Sequence, residues 1–321
     1  MAKQASGFVA AGYAAKLTAA RPRTKLAYMD GSATIATPVL APLDVRRPAA
    51  RVLPLVIASP HSGSDYPPEF VAASRLDPQA LRRSEDAFVD EIFAAAPSLG
   101  APLLAARFPR AYLDVNREAW ELDPAMFAEA LPDYVNVRSP RVRMGLGTIA
   151  RVVASGEEIY GGKLCFADAK ARIDSLYRPY HAALGRLVEE TAAAFGFCLV
   201  VDCHSMPSGA NGAGREAADI VLGDCHGASC APQLVETARH YLSQCGFAVA
   251  LNAPYAGGFT TGHYGRPRQR RHALQIEINR AIYMDEHSYR RRSGFSELKD
   301  AMAGLIGWLG DAAQEHLGRS F

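Results

Sequence analysis

The sequence predicts an α/β fold with a mixed, mainly parallel central sheet flanked by helices, and two observations lead there. From about residue 40 onward, short apolar runs alternate with longer segments of helical periodicity, and strands separated by helices of that length need crossovers that cover both faces of a sheet. Polar residues also gather directly after the apolar runs, where an open parallel sheet binds its ligands.

Residues 1–38 hold no sustained period and end in GSATIATP, so they read as an N-terminal extension or arm, with one α/β domain over 39–321. The first 25 of them, Ala-rich, Lys/Arg-bearing and acid-free, also resemble an organellar transit peptide, but the peripheral arm is preferred. The first strand is expected at 52–58, followed by a helix over 78–96, strands at 102–106 and 111–115, a helix over 167–195 and a strand at 197–202. Strands at 218–222, 247–251 and 272–278 follow, with helices over 231–245 and 295–316. In the 78–96 segment, Leu81, Phe88, Ile92 and Ala95 recur at helical spacing, and Asp77-Pro78 supplies an N-cap and a first-turn proline. The same segment carries Glu85, Asp86, Asp90 and Glu91. A solvated acidic face and a carboxylate reaching the strand ends are equal readings of these four.

Composition narrows the function classes. A chain of 321 residues, 49% hydrophobic and 21% charged, has material for a large core, and 35 basic against 33 acidic residues leave no nucleic-acid footprint over the whole surface. The six cysteines form no C-x-x-C pair, and the expected compartment is the cytoplasm, with reduced thiols. No apolar run reaches 18 residues, so no membrane partner is expected, and the oligomeric state is not legible.

Chemistry concentrates at four strand ends: SPHSG after 52–58, DVNRE after 111–115, DCHSMPSG after FCLVV, and LQIEINR, with Glu277, Asn279 and Arg280. A hydrolytic zinc site takes three protein ligands and keeps a fourth position open for water. His61 and His204 offer two nitrogens, and a carboxylate of the 78–96 segment would offer the third ligand. Asp202 is either a turn residue or an acceptor that orients an imidazole. Gly63 would let the chain turn sharply while the His61 imidazole faces the site.

Alternatives to a metal are weaker. HSG and HSM do not make a G-x-S-x-G elbow, and Cys203 points away from its neighbour His204 on a strand. APYAGGFTTGHYGRP fits neither a P-loop nor a dinucleotide fingerprint and reads as a mobile loop carrying polar groups to a ligand. His226 with Cys225 and Cys230 matches no common zinc spacing. The run RPRQRRH reads as a solvated loop or an attractor of anionic substrate.

Six motifs in order, PHSGSDYPPEF, RSEDAFVDEIF, YLDVNRE, LVVDCHSMPSG, NAPYAGGFTTGHYGRP and HALQIEINRAIYMDE, together resemble the N-formylglutamate amidohydrolase family from about Leu40 to about Leu309. The resemblance implies a phosphorylase/hydrolase-like α/β fold, distantly similar to zinc carboxypeptidases and aspartoacylases, and a metal-dependent deacylase. Those relatives place a glutamate three residues after the first histidine. Here Ser64 stands at that position, so the resemblance assigns the carboxylate ligand to Asp86, with Glu85 as its rival, beside His61 and His204. It implies Zn2+, or another divalent metal, as cofactor and a small N-acyl amino acid as substrate.

Formamide hydrolysis needs an activated water, oxyanion stabilisation and a proton for the leaving amine. Glu277 is the expected general base and acid. Asn116 and Arg117 resemble the Asn-Arg pair that holds a substrate carboxylate in the related carboxypeptidases, and Arg280 would serve a second carboxylate. His263 is expected to donate to substrate or oxyanion, with Tyr264 beside it. Three functions follow for test: release of formate and glutamate from N-formyl-L-glutamate, as in histidine breakdown; deacylation of another N-acyl amino acid or peptide; and metal-free binding of a dicarboxylate.

Overall fold

The computed structural model describes residues 41–210 and 218–318; the arm expected over 1–38 lies outside the described residues. Seven strands form the main sheet: β1 (Leu43–Arg46), β2 (Leu55–Ser59), β3 (Leu103–Ala106), β4 (Cys198–Met206), β5 (Ile220–Gly223), β6 (Val249–Leu251) and β7 (Arg271–Asn279). Their order is β1-β3-β2-β4-β7-β5-β6. Four of the six pairings are parallel, and β1 on β3 and β5 on β7 are antiparallel. The sheet is thus mixed and mainly parallel, as expected.

Strands β2 and β4 are buried along their whole length, which is why they read as continuous apolar runs rather than as alternations. Alternate residues feed two cores. Leu55, Ile57, Leu199, Val201, Cys203, Leu274 and Ile276 face one, and Val56, Ala58, Cys198, Val200 and Ala273 face the other. Helix α1 (Arg178–Phe195) covers the second core through Tyr180, Leu184, Leu187 and Val188. Helices α2 (Pro232–Gln244) and α4 (Gly294–Gly318) cover the first through Leu234, Ala238, Leu305 and Leu309. Between them in sequence lies a six-residue helix, α3 (Phe259–Tyr264).

Strands β3, β2, β4 and β7 are adjacent and parallel, so their carboxyl ends share one edge. The chain leaves β2 toward β3 on one side, while β4 lies on the other. That divergence is the topological switch point at which such sheets open a binding crevice.

The structure departs from the sequence reading in three places. The 78–96 helix is broken: Pro78–Leu81 is one helical turn, Glu85 is extended, Phe88 is left-handed at φ 67°, and helix resumes at Val89–Ile92. The Asp86 amide donates to the His61 carbonyl at 3.0 Å instead of to a helical carbonyl, so a tertiary contact overrides the periodicity. Residues 111–115 are not a strand. Tyr112 and Leu113 donate to Pro109 and Asp114 donates to Thr148, leaving no ladder. Strand β1, which sequence periodicity did not reveal, is a partly exposed edge without a continuous apolar run.

Candidate functional site

The carboxyl edge brings together His61, two residues beyond β2, and His204, near the end of β4, with ring centroids 4.8 Å apart. Asp86 stands between them. Its Oδ2 lies 3.3 Å from His61 Nδ1 and 3.1 Å from His204 Nδ1. All three residues are buried, and one ligand atom from each falls within 4.8 Å of the others.

The reverse side of each imidazole is held by a second carboxylate. His61 Nε2 is 2.8 Å from Asp114 Oδ1, and His204 Nε2 is 3.0 Å from Asp202 Oδ1. For His61, the carboxylate at Nε2 favours the proton there and leaves the Nδ1 lone pair facing Asp86, the arrangement by which outer carboxylates orient metal-binding histidines. Asn116 Nδ2 also approaches His204 Nε2, at 3.1 Å. The Asp202 contact is an ion-pair distance without hydrogen-bond alignment, since Asp202 Oδ1 has no hydrogen-bond partner.

The two rival acids have different partners. Glu85 is turned into a two-pronged pair with Arg82, at 3.0 and 2.9 Å, and Arg82 in turn lies over the Tyr289 ring. Asp86 Oδ1 accepts from Ser205 Oγ and Arg280 Nη2, both at 3.1 Å, which leaves Oδ2 for the two imidazoles. Burial acts to raise the Asp86 pKa, but the hydrogen bond with His204 and the charge of His204 and His61 outweigh it and hold the carboxyl well below its usual range. Asp114 is likewise held low against burial, by Arg117, Arg110 and His61.

A divalent cation fits this set on the chain's own chemistry. His61 Nδ1 is buried and makes no hydrogen bond, an orphan acceptor aimed at an ionised carboxylate and a second imidazole. Buried polar atoms of that kind call for a partner, and two nitrogens with one carboxylate oxygen are hydrolytic zinc-type donors.

Glu277, on β7 directly beside His204 in the parallel register, faces the same edge. Burial is the main cause that raises its pKa to about 7, with Asp86 and Asp202 acting in the same sense and His204 and Arg110 against it. A carboxylate so placed exchanges a proton near neutral pH.

The other expected residues are placed differently. Asn116 Oδ1 accepts from the Thr260 amide at 2.8 Å, and a side chain on Gly258 would collide with the Asn116 amide group. The segment read as a mobile loop is therefore folded onto Asn116 and carries α3, whose Thr260 and Thr261 are fully buried. Arg117 donates to the carbonyls of Leu146 and Asn116 at 2.8 and 2.7 Å and lies 3.4 Å from Asp114. Arg280 donates to Ser205, Arg83 and Asp86. His263 is exposed and stacks on Phe259, with no hydrogen bond joining its ring to the cluster among the described residues. Gly63 is needed for close approach, not for a sharp turn: a side chain there would meet the Phe108 carbonyl oxygen at 2.3 Å.

Sequence reasoning passed over Asp114, Arg110 and Gln275, and weighed Ser205 only as a nucleophile. Asp114 carried a signal, since it precedes Asn116 by two residues at the end of an apolar run, just as Asp202 precedes His204. Arg110 lies 3.1 Å from Asp114 Oδ2, is 24% exposed, and its charge acts on both Asp86 and Glu277. In the basic run 266–272, Arg270 donates to Gly196 and Arg271 to Glu189, so this segment anchors the start of β7.

Comparison with known proteins gives a consistent picture. The family model for N-formylglutamate amidohydrolase matches residues 53–284. An N-formylglutamate deformylase of Pseudomonas putida is 28% identical over 271 residues, covering 80% of this chain and 93% of the relative. Its counterpart in Pseudomonas aeruginosa is 28% identical over 269 residues, covering 80% and 94%. The crystal structure of an N-formylglutamate amidohydrolase from Ralstonia eutropha JMP134 superposes with a TM-score of 0.81 at 38% identity, over 86% of this chain and 99% of that one. A gene product of Agrobacterium tumefaciens, 19% identical, shares the fold with a TM-score of 0.61 over 85% and 94%.

Proposed function

Because the chain belongs to the N-formylglutamate amidohydrolase family, we propose that it hydrolyses N-formyl-L-glutamate to formate and L-glutamate, with Zn2+ held by His61, Asp86 and His204. The observation that carries the reading is the convergence of those three buried ligand groups beside Glu277, a carboxylate raised to about 7. Zinc is chosen among divalent ions because two imidazoles and one carboxylate with an open position suit it. A bound divalent ion would acidify a water and polarise the formyl carbonyl.

The chain's own residues supply the rest. Glu277 takes a proton from the attacking water and delivers it to the amine nitrogen as the C–N bond breaks. Asp114 and Asp202 hold the imidazoles in place. Arg110 presents a partly exposed cation to the substrate's negative charge, and Arg117 and Arg280, which give only some of their five N–H groups to chain oxygens, serve its carboxylates. Asn116 shapes the substrate side by seating α3, and His263 contributes at its outer rim. The distant likeness to zinc carboxypeptidases belongs to the same proposal, as does a cytoplasmic location; among the described residues no helix is long and apolar enough to cross a membrane.

Formate release from N-formyl-L-glutamate, measured on protein purified without chelator and beside its zinc content, tests this reading. Formate with about one zinc per chain, both lost in His204→Ala, is the expected result. Zinc-loaded protein that cleaves only acetyl, succinyl or peptide analogues would move the activity to another N-acyl substrate. Metal-free protein that binds glutamate without hydrolysing anything would overturn the enzyme.

A further inference from the structure

Glu277 is not a free carboxylate. Its Oε1 lies 3.0 Å from Gln275 Nε2, and Gln275, two residues earlier on β7, points to the same face of the strand. Both side chains are buried, at 3% and 8% exposure. In register, Gln275 lies between Asp202 on β4 and Gly223 on β5. A side chain on Gly223 would meet the backbone of Ala256 at 2.8 Å, so the Ala256–Gly257 main chain runs close over that position.

The far end of Gln275 lies beside Thr261. Thr261 Oγ1 lies 3.5 Å from Gln275 Oε1 and 3.2 Å from Asp202 Oδ2. A hydroxyl has one proton, and the shorter contact to a carboxylate takes it. Turning the Gln275 amide over would set its oxygen against an acceptor-only carboxylate, so the NH2 group belongs on Glu277. Glu277 and Gln275 thus form one hydrogen-bonded pair, with the Thr261–Asp202 pair beside it, behind His204.

We propose that Gln275 is the positioning residue of the general base: by occupying Oε1 of Glu277 it fixes the carboxylate's rotation and leaves Oε2 as the oxygen that meets the water. The inference rests on the hydrolase reading above. A carboxylate rotates readily about its last torsion, and a proton acceptor must lie within hydrogen-bond reach of the proton it removes.

The test is Gln275→Met, which keeps length and volume but loses the donor. A hydrogen bond to a charged group corresponds to about a 10- to 100-fold loss in kcat, with KM and zinc content changed by no more than about twofold. In a Glu277→Gln background the same substitution is expected to cost nothing further, because its effect runs through Glu277. An equal loss in both backgrounds overturns the proposal. Should Gln275→Met fail to fold, Gln275→Asn keeps the amide but is one methylene too short; full activity there overturns the proposal equally. If zinc-loaded unsubstituted protein releases no formate, the function proposed above fails and the pair is read from the 13C resonance of the Glu277 carboxyl. That resonance is expected to move on removal of the donor, and no movement overturns the pairing.

Discussion

The two faces of β4 and β7 carry opposite chemistry on alternate residues. On one lie Asp202, His204, Gln275 and Glu277; on the other, Val201, Cys203, Leu274 and Ile276 pack under α2 and α4. The backbone is shared, and only the period of two separates the polar candidate site from an apolar core. The apolar face needs volume and shape, which many side chains supply. The polar face needs named partners, since each buried carboxylate is tolerable only through the group it meets.

If this division is real, substitutions on the two faces fail in different ways. The largest effect is expected for Glu277→Gln, with kcat lowered about 10²- to 10⁴-fold while the protein stays folded and zinc-bound; a fall in zinc content of the same size would make Glu277 a ligand instead. Leu274→Ala, on the opposite face, is expected to lose about 2–5 kcal/mol of stability by denaturant unfolding, with kcat per folded molecule unchanged. A large drop in that kcat would show that the faces are coupled.

Asp114→Asn removes the carboxylate behind His61 without touching Asp86, and a loss of about 10- to 100-fold in zinc affinity is expected from competition with a chelator. The smallest effect is in the pH profile. Burial lifts Glu277 to about 7, and the base works deprotonated, so the rate rises with pH through its pKa. A bound cation favours the charged carboxylate and moves that limb lower, so an acidic limb well above 7 would assign the base elsewhere.

Six of the seven strands, the three long helices and three of the four central candidate residues were legible locally. His61, His204 and Glu277 each close or follow an apolar run, and a parallel sheet brings such ends to one edge whatever the loops do. Asp86 was harder, because the helical period of Leu81, Phe88 and Ile92 hides a break at 85–88 that exists only through the His61 carbonyl and the left-handed Phe88.

The arginines mark the limit. Arg117 and Arg280 read as ligand-binding residues from the sequence, and what the sequence did not show is that some of their donors meet chain oxygens on segments 29 and 197 residues away. Arg110, which the sequence did not distinguish, keeps a partly exposed guanidinium beside the site. Patterns of period 2 and 3.6 are written into the chain and determine which residues can reach the carboxyl edge. Tertiary structure alone decided which carboxylate faces the imidazoles, which arginine stays open and which oxygen of Glu277 is held. A polar side chain takes its direction from its partner, and here those partners come from distant segments.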